Sequence, residues 1–193
     1  MPALPQIPIF PLNTVLFPGG LLPLKIFEQR YLEMTKVCLR DNAPFGVCLI
    51  RDGQEVGAPA VPVSVGCTAV ITDWEMPHVG LFHLQTRGVA VFRTLDRVVG
   101  PQGLVRASVE MLPETAGQAD EELAALCRRI LQSIAERVGS EVFHAPLAFD
   151  DAGWVSYRLA ELLPIDLAER QSLLEERNDA RRIARLAALL QAG

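Results

Sequence analysis

Apolar residues come in short bursts through the first half of the chain and at helical spacing through the second. The opening run, Gln6-Ile7-Pro8-Ile9-Phe10-Pro11-Leu12, carries two prolines, which exclude a helix and a central strand and predict an edge or rim strand. Val15-Leu16-Phe17-Pro18-Gly19-Gly20 reads as a short strand ending in a turn, and Leu21-Leu22-Pro23-Leu24 as another extended piece. From Glu28 to about Arg40 the period changes, with Tyr31, Met34, Thr35 and Cys38 on one helical face. Phe45 to Ile50 predicts a buried strand, and Val65 to Trp74 a further strand followed by a loop at Glu75-Met76-Pro77-His78. Between Leu81 and Leu95, Phe82, Leu84 and Thr86 alternate with His83, Gln85 and Arg87, and Gly88 then interrupts the pattern as a bulge or corner would. Gly103 to Leu112 supplies a last strand. Short strands with a single helix suggest a small closed or semi-closed barrel.

The second half reads differently. Leu123, Leu126, Cys127, Ile130, Leu131, Ile134 and Val138 form one stripe and predict a helix over 119–138. Trp154, Val155, Leu159, Leu162 and Leu163 mark a second helix, stopped by Pro164. Asp166-Leu167-Ala168-Glu169 has capping-box spacing and opens a third. A fourth runs from about Asn178, with Ile183, Leu186, Ala187 and Leu190 inward, and four helices with short loops pack as a bundle.

Composition sharpens the division. Through Gly117 there are 11 of the 14 glycines and 12 of the 14 prolines, whereas 14 alanines follow that point against 8 before it. Glycine and proline punctuate strands and turns, and alanine is the best helix former. The expectation is an α+β chain with a mostly antiparallel β-barrel over 1–115, one helix near 28–40, and an α-helical bundle over 118–193. Half the residues are hydrophobic and 21% are charged, so the chain buries a real core and is not disordered. Net charge is −5, which argues against a nucleic-acid backbone as the main partner. No apolar stretch reaches the ~18 residues of a membrane span. The Met1-Pro2-Ala3-Leu4-Pro5 start does not look like a secretory signal, so a cytoplasmic, membrane-free location is expected. Cys38, Cys48, Cys67 and Cys127 are far apart and read as reduced, buried thiols.

Several runs together resemble one family. Ile7-Pro8-Ile9-Phe10-Pro11-Leu12, then Val15-Leu16-Phe17-Pro18-Gly19, then Leu22-Pro23-Leu24 is similar to the opening of the amino-terminal domain of Lon-type proteases. Gly66-Cys67-Thr68-Ala69-Val70-Ile71 and Gly88-Val89-Ala90-Val91-Phe92-Arg93 resemble its glycine-led strands. Leu163-Pro164-Ile165-Asp166, Gln171-Ser172-Leu173-Leu174-Glu175 and Arg181-Arg182 resemble its helical end. The resemblance runs over residues 5–190. It implies a PUA-like barrel followed by a helical bundle, and a role in engaging unfolded or tagged polypeptide for a protease.

The catalytic parts of such proteases have no counterpart in this sequence. There is no G-x-x-x-x-G-K-[ST] phosphate cradle, and Lys25 and Lys36, the only lysines, precede every serine, which forbids the family's serine-then-lysine order. The expectation is therefore a stand-alone, non-enzymatic recognition module. No cofactor or metal is called for: the cysteines lack paired ligand spacing, and His78 and His83 bracket a turn. A Cys67–His83 nucleophile pair is conceivable, though buried thiols without an electropositive neighbour are inert. Asp150-Asp151 reads as a helix cap.

Two rivals stay open. PUA-like folds often bind RNA, and Arg87, Arg93, Arg97 and Arg106 fall in the last strands, against which stand the −5 charge and the lack of interleaved aromatics. A small-molecule enzyme with a pocket at the barrel–bundle junction is the other. Arg177, Arg181, Arg182 and Arg185, amid Glu175, Glu176 and Asp179, read as a solvated, ion-paired face. For polypeptide, two places offer suitable surface. One is Trp74, Met76 and Pro77, an aromatic and a methionine in the expected loop. The other is Phe27, Glu28 and Arg30 at the first helix, where the family resemblance places a charged triplet that this sequence keeps only in part.

Overall fold

The computed structural model describes residues 6–192; residues 1–5 and 193, the outer ends of the two expected ranges, lie outside the described residues, as does the Met1–Pro5 start. The chain divides into two compact units with the border between Leu112 and Pro113. The fold is α+β, with a mostly antiparallel sheet in the first unit.

Of the two positions its prolines predict, edge or rim, strand β1 (Gln6–Leu12) does not take the edge, because it has a partner strand on each side. It pairs antiparallel with β7 (Val105–Met111) through residues 6–9 and parallel with β3 (Phe45–Asp52) through residues 9–12. The two pairings are staggered, so Pro8 and Pro11 each border one partner strand, and a residue without an N–H is accommodated there. Strand β3 pairs with β5 (Val65–His78), β5 with β6 (Leu81–Val99), and β6 with β7, so the pairing returns to β1 and closes on itself. Strand β4 (Val61–Pro62) adds to β3, and β2 (Leu21–Ile26) adds to the first half of β6.

Gly88 shows why β6 can serve so many partners. Cys67 pairs with Val91 but Ala69 with Gly88, so β6 carries one extra residue there, a bulge. The Gly88 N–H donates to Gly20 O at 2.9 Å, and Gly88 O accepts from Gly19 N at 2.8 Å. This places the Phe17–Gly20 turn directly against the strand. The helix α1 (Gln29–Asp41) buries Tyr31, Met34, Thr35 and Cys38, the face its periodicity predicts. Tyr31, Met34 and Cys38 join Phe10, Leu24, Ile26, Phe45, Phe82 and Leu84 in one core cluster.

The second unit holds α2 (Glu121–Val138), α3 (Ala152–Leu162), α4 (Leu167–Glu175) and α5 (Asp179–Ala192), with a 3-10 turn at Ser140–Val142. Asp120, Asp151 and Asp166 cap the first three through side-chain oxygens that accept helix N–H bonds. Asp151 is therefore a cap, while Asp150 is solvent-exposed 3.8 Å from Arg128.

Arg181 is exposed and Arg185 half-exposed and ion-paired, as the expected solvated face requires, but Arg182 corrects it. Arg182 is fully buried: it bonds Ser156 Oγ and Glu176 O at 2.7 Å each, pairs with Glu114, and lies 3.8 Å from the Tyr157 ring centre. Arg185 pairs with Glu169 at 2.6 Å, and Arg177 donates to Tyr157 Oη at 2.9 Å. The acids that matter come from distant elements rather than from the nearby Glu175 and Asp179.

Candidate functional site

Phe27 follows the end of β2 and precedes α1, and it is 56% exposed. Beside it lies a cavity of about 280 Å³ walled by Phe10, Leu24, Ile26, Tyr31 and Val56, with Lys25 and Glu55 at its polar margin. Glu28 occupies the N-cap position with an extended backbone, but its carboxylate caps nothing. Instead it pairs with Arg30 at 2.9 Å. Arg30 is only 5% exposed, rests 4.7 Å from the Tyr31 ring centre, and reaches toward Gly103 O at 3.4 Å. The Glu28–Arg30 pair thus braces the start of α1, leaving Phe27 as the outward-facing member of this trio. Burial pushes the Tyr31 hydroxyl up to about 12, against the pull of Arg30, so it stays a neutral hydrogen-bonding group.

Trp74, Met76 and Pro77 do not sit in a loop. They belong to β5, and the turn comes two residues later at Val79-Gly80, where Gly80 has φ +84°. Trp74 and Met76 are each 50% exposed. The Trp74 ring is 5.6 Å from that of Phe82, and Phe82 pairs in register with Ile26 of β2. Three adjacent strands, β2, β6 and β5, therefore connect the Phe27 end of β2 to the Trp74 and Met76 segment through one buried phenylalanine. Leu24, Leu84 and Trp74 are directly opposite one another across the same strands and share a face. The opposite face carries Lys25, His83 and Glu75 in register, with His83 Nδ1 2.9 Å from Glu75 Oε1.

The edges here are open. Strand β3 meets β5 only at Cys67–Ala69, so from Val70 onward β5 has no neighbour on that side among the described residues. Because Gly88 N donates to Gly20 O, the even-numbered residues of β6 face β2 and the odd-numbered ones face β5. Backbone groups of Trp74 and Met76 consequently point to the open side, where the Trp74 N–H is taken by Asp73 Oδ1 at 2.9 Å. Val56 and the apolar wall of the cavity were not singled out by sequence. Leu24 and Ile26 do carry an alternating signal, whereas Val56 lies in a polar stretch with none.

The chemical alternatives find little geometry. Cys67 pairs with Val91, eight residues along β6 from His83, a separation of about 26 Å at strand rise. All four cysteines are buried, and burial pushes Cys48 up to about 12 and both Cys38 and Cys127 up to about 11. Among the described residues, no group of three or more His, Cys, Asp or Glu is placed to hold a metal ion, and no helix is long and apolar enough to cross a membrane. Of the strand arginines, Arg93 lies 3.6 Å from Glu110 and Arg97 donates to Pro62 O at 3.0 Å.

Comparison with known proteins converges. The family model of the ATP-dependent protease La (LON) substrate-binding domain matches residues 6–192. The chain is 31% identical over 192 residues to the Lon protease of Paraburkholderia phytofirmans, covering 94% of this chain and 24% of that protein. It is 27% identical to Lon protease 2 of Myxococcus xanthus, covering 89% of this chain and 22% of that protein. The chain thus spans about a quarter of the length of these relatives. A solved Lon N-terminal domain protein from Xanthomonas campestris superposes with a TM-score of 0.75 at 36% identity, covering 95% of this chain and 98% of that one. The N-terminal domain of Mycobacterium avium complex Lon protease has the same fold, with a TM-score of 0.67 at 16% identity over 94% of this chain and 96% of that one.

Proposed function

The chain belongs to the Lon substrate-binding domain family, and on that premise we propose that it grips extended, unfolded polypeptide without doing chemistry on it. The observation that carries the reading is the half-exposed Trp74 and Met76, joined through buried Phe82 to the strand that ends at Phe27. An unfolded client presents apolar side chains and unpaired backbone together. The surface answers both needs: an aromatic and a flexible methionine take varied side chains, and an open strand edge offers backbone carbonyls and N–H groups. The neighbouring cavity gives one client side chain a place to be fully desolvated. A Lon-type protease is the partner to which the family points.

The test is a titration of a permanently unfolded model polypeptide, with affinity read by calorimetry. Trp74→Ala, Met76→Ala and Phe27→Ala are each expected to weaken binding, the aromatic changes by about 30-fold, the scale of an interface hot spot. All three side chains are about half exposed or more, so thermal midpoints should hold. Unchanged affinity in all three variants, or no saturable binding by the parent, contradicts the proposal.

A further inference from the structure

Helix α1 and the turn between β6 and β7 enclose a second cavity of about 270 Å³, in which Phe27 takes no part. Met34, Val37, Pro101 and Leu104 give it apolar walls, and Arg30, Glu33 and Arg106 supply its charged groups. Two of these three charges are already compensated. Arg30 is paired with Glu28, and the Glu33 carboxylate accepts from Lys36 Nζ and Gln29 Nε2 at 2.9 Å each. Arg106, exposed on β7, has no acidic partner among the described residues. One uncompensated guanidinium therefore stands beside an apolar hole.

We propose that this cavity takes the C-terminal residue of a polypeptide, with an apolar last side chain between Met34 and Leu104 and its carboxylate on Arg106. The proposal rests on the reading of this chain as a polypeptide binder and names the kind of chain end it selects. A guanidinium fork matches a planar carboxylate with two parallel hydrogen bonds. An internal segment of a client brings no charge to Arg106, and a bare phosphate leaves the apolar walls uncovered. The cavity is also smaller than the ~300–1,000 Å³ of drug-sized ligand sites, which suits a single terminal residue.

The experiment uses the full chain and a labelled ten-residue peptide ending in leucine, with binding read by fluorescence anisotropy. One arm carries a free C-terminal carboxylate and a second a C-terminal amide; a third uses N-acetyl-leucine as competitor. Amidation and Arg106→Gln are each expected to weaken binding about tenfold or more, and together no more than either alone, because both remove the same contact. Equal affinity for carboxylate and amide overturns the proposal, as does an Arg106→Gln variant that binds like the parent. N-acetyl-leucine binding as tightly as the peptide overturns it in favour of a small-acid site. If the peptide fails to bind while the long unfolded polypeptide still does, only this inference falls. If both fail, the functional reading falls with it.

Discussion

Gly88→Ala should destabilise the first unit by about 3 kcal/mol or more, a large share of the ~5–15 kcal/mol that holds a typical domain together. A Cβ at this position would collide with the Phe17 carbonyl oxygen and crowd Leu16 Cγ, at 3.1 Å. The obstacle is backbone, and it cannot step aside, because hydrogen bonds from Gly88 to Gly20 and from Gly19 to Gly88 pin the turn to the strand. Relief would require breaking that pair or opening the bulge that sets the β5–β6 register. Gly100→Ala is the control, since its Cβ meets only the Leu104 carbonyl oxygen at 3.4 Å. It should stay within about 0.5 kcal/mol of the parent. Urea denaturation of both variants decides the matter, and equal midpoints would refute the close-approach account.

Arg182→Met should cost the helical unit about 3 kcal/mol, through the penalty for leaving a partly buried charge without its partner. The guanidinium holds together residues from three places: Glu114, Ser156 on α3, and the Glu176 carbonyl ahead of α5. Methionine fills much of the volume but abandons the Glu114 carboxylate, whose side chain is 33% exposed. Adding Glu114→Gln should recover part of the loss, because removing both charges of a pair is far cheaper than removing one. Helix content followed at 222 nm through a thermal melt measures this. A single-variant loss below about 1 kcal/mol, or no recovery in the double variant, contradicts it.

The contrast between these two residues explains what could be read from the chain alone. Gly88 announced itself as an interruption of a period-two run, and the bulge is where that reading places it; the collision with Phe17, seventy-one positions upstream, is invisible without the pairing. Helix α2 was legible from its stripe, and its start moves from 119 to Glu121 because Asp120 is the cap. Arg182 was misread because its spacing beside local acids looks like an exposed face, while its true partner is 68 residues away. The β5 segment was misread for a related reason. Glu75, Pro77 and His78 are loop-like in composition, yet past the core this strand is exposed on both faces, so polar residues signal solvent rather than a turn. Phe27 and Trp74 were each recognisable as exposed candidates, but their connection runs through the register of Phe82, which no local pattern encodes. Arg30, in contrast, looked like a contact residue and is an internal brace, because burial follows from what packs over it rather than from charge.

The most direct measurement of the central claim uses Trp74 as its own reporter. The other tryptophan, Trp154, packs against Phe143 and Phe149 in the helical unit, where phenylalanine can replace it with modest loss. In the Trp154→Phe protein, a tryptophan-free unfolded polypeptide should shift Trp74 emission to the blue, saturably and with the affinity found by calorimetry. Saturable binding that leaves Trp74 emission unmoved would contradict the account.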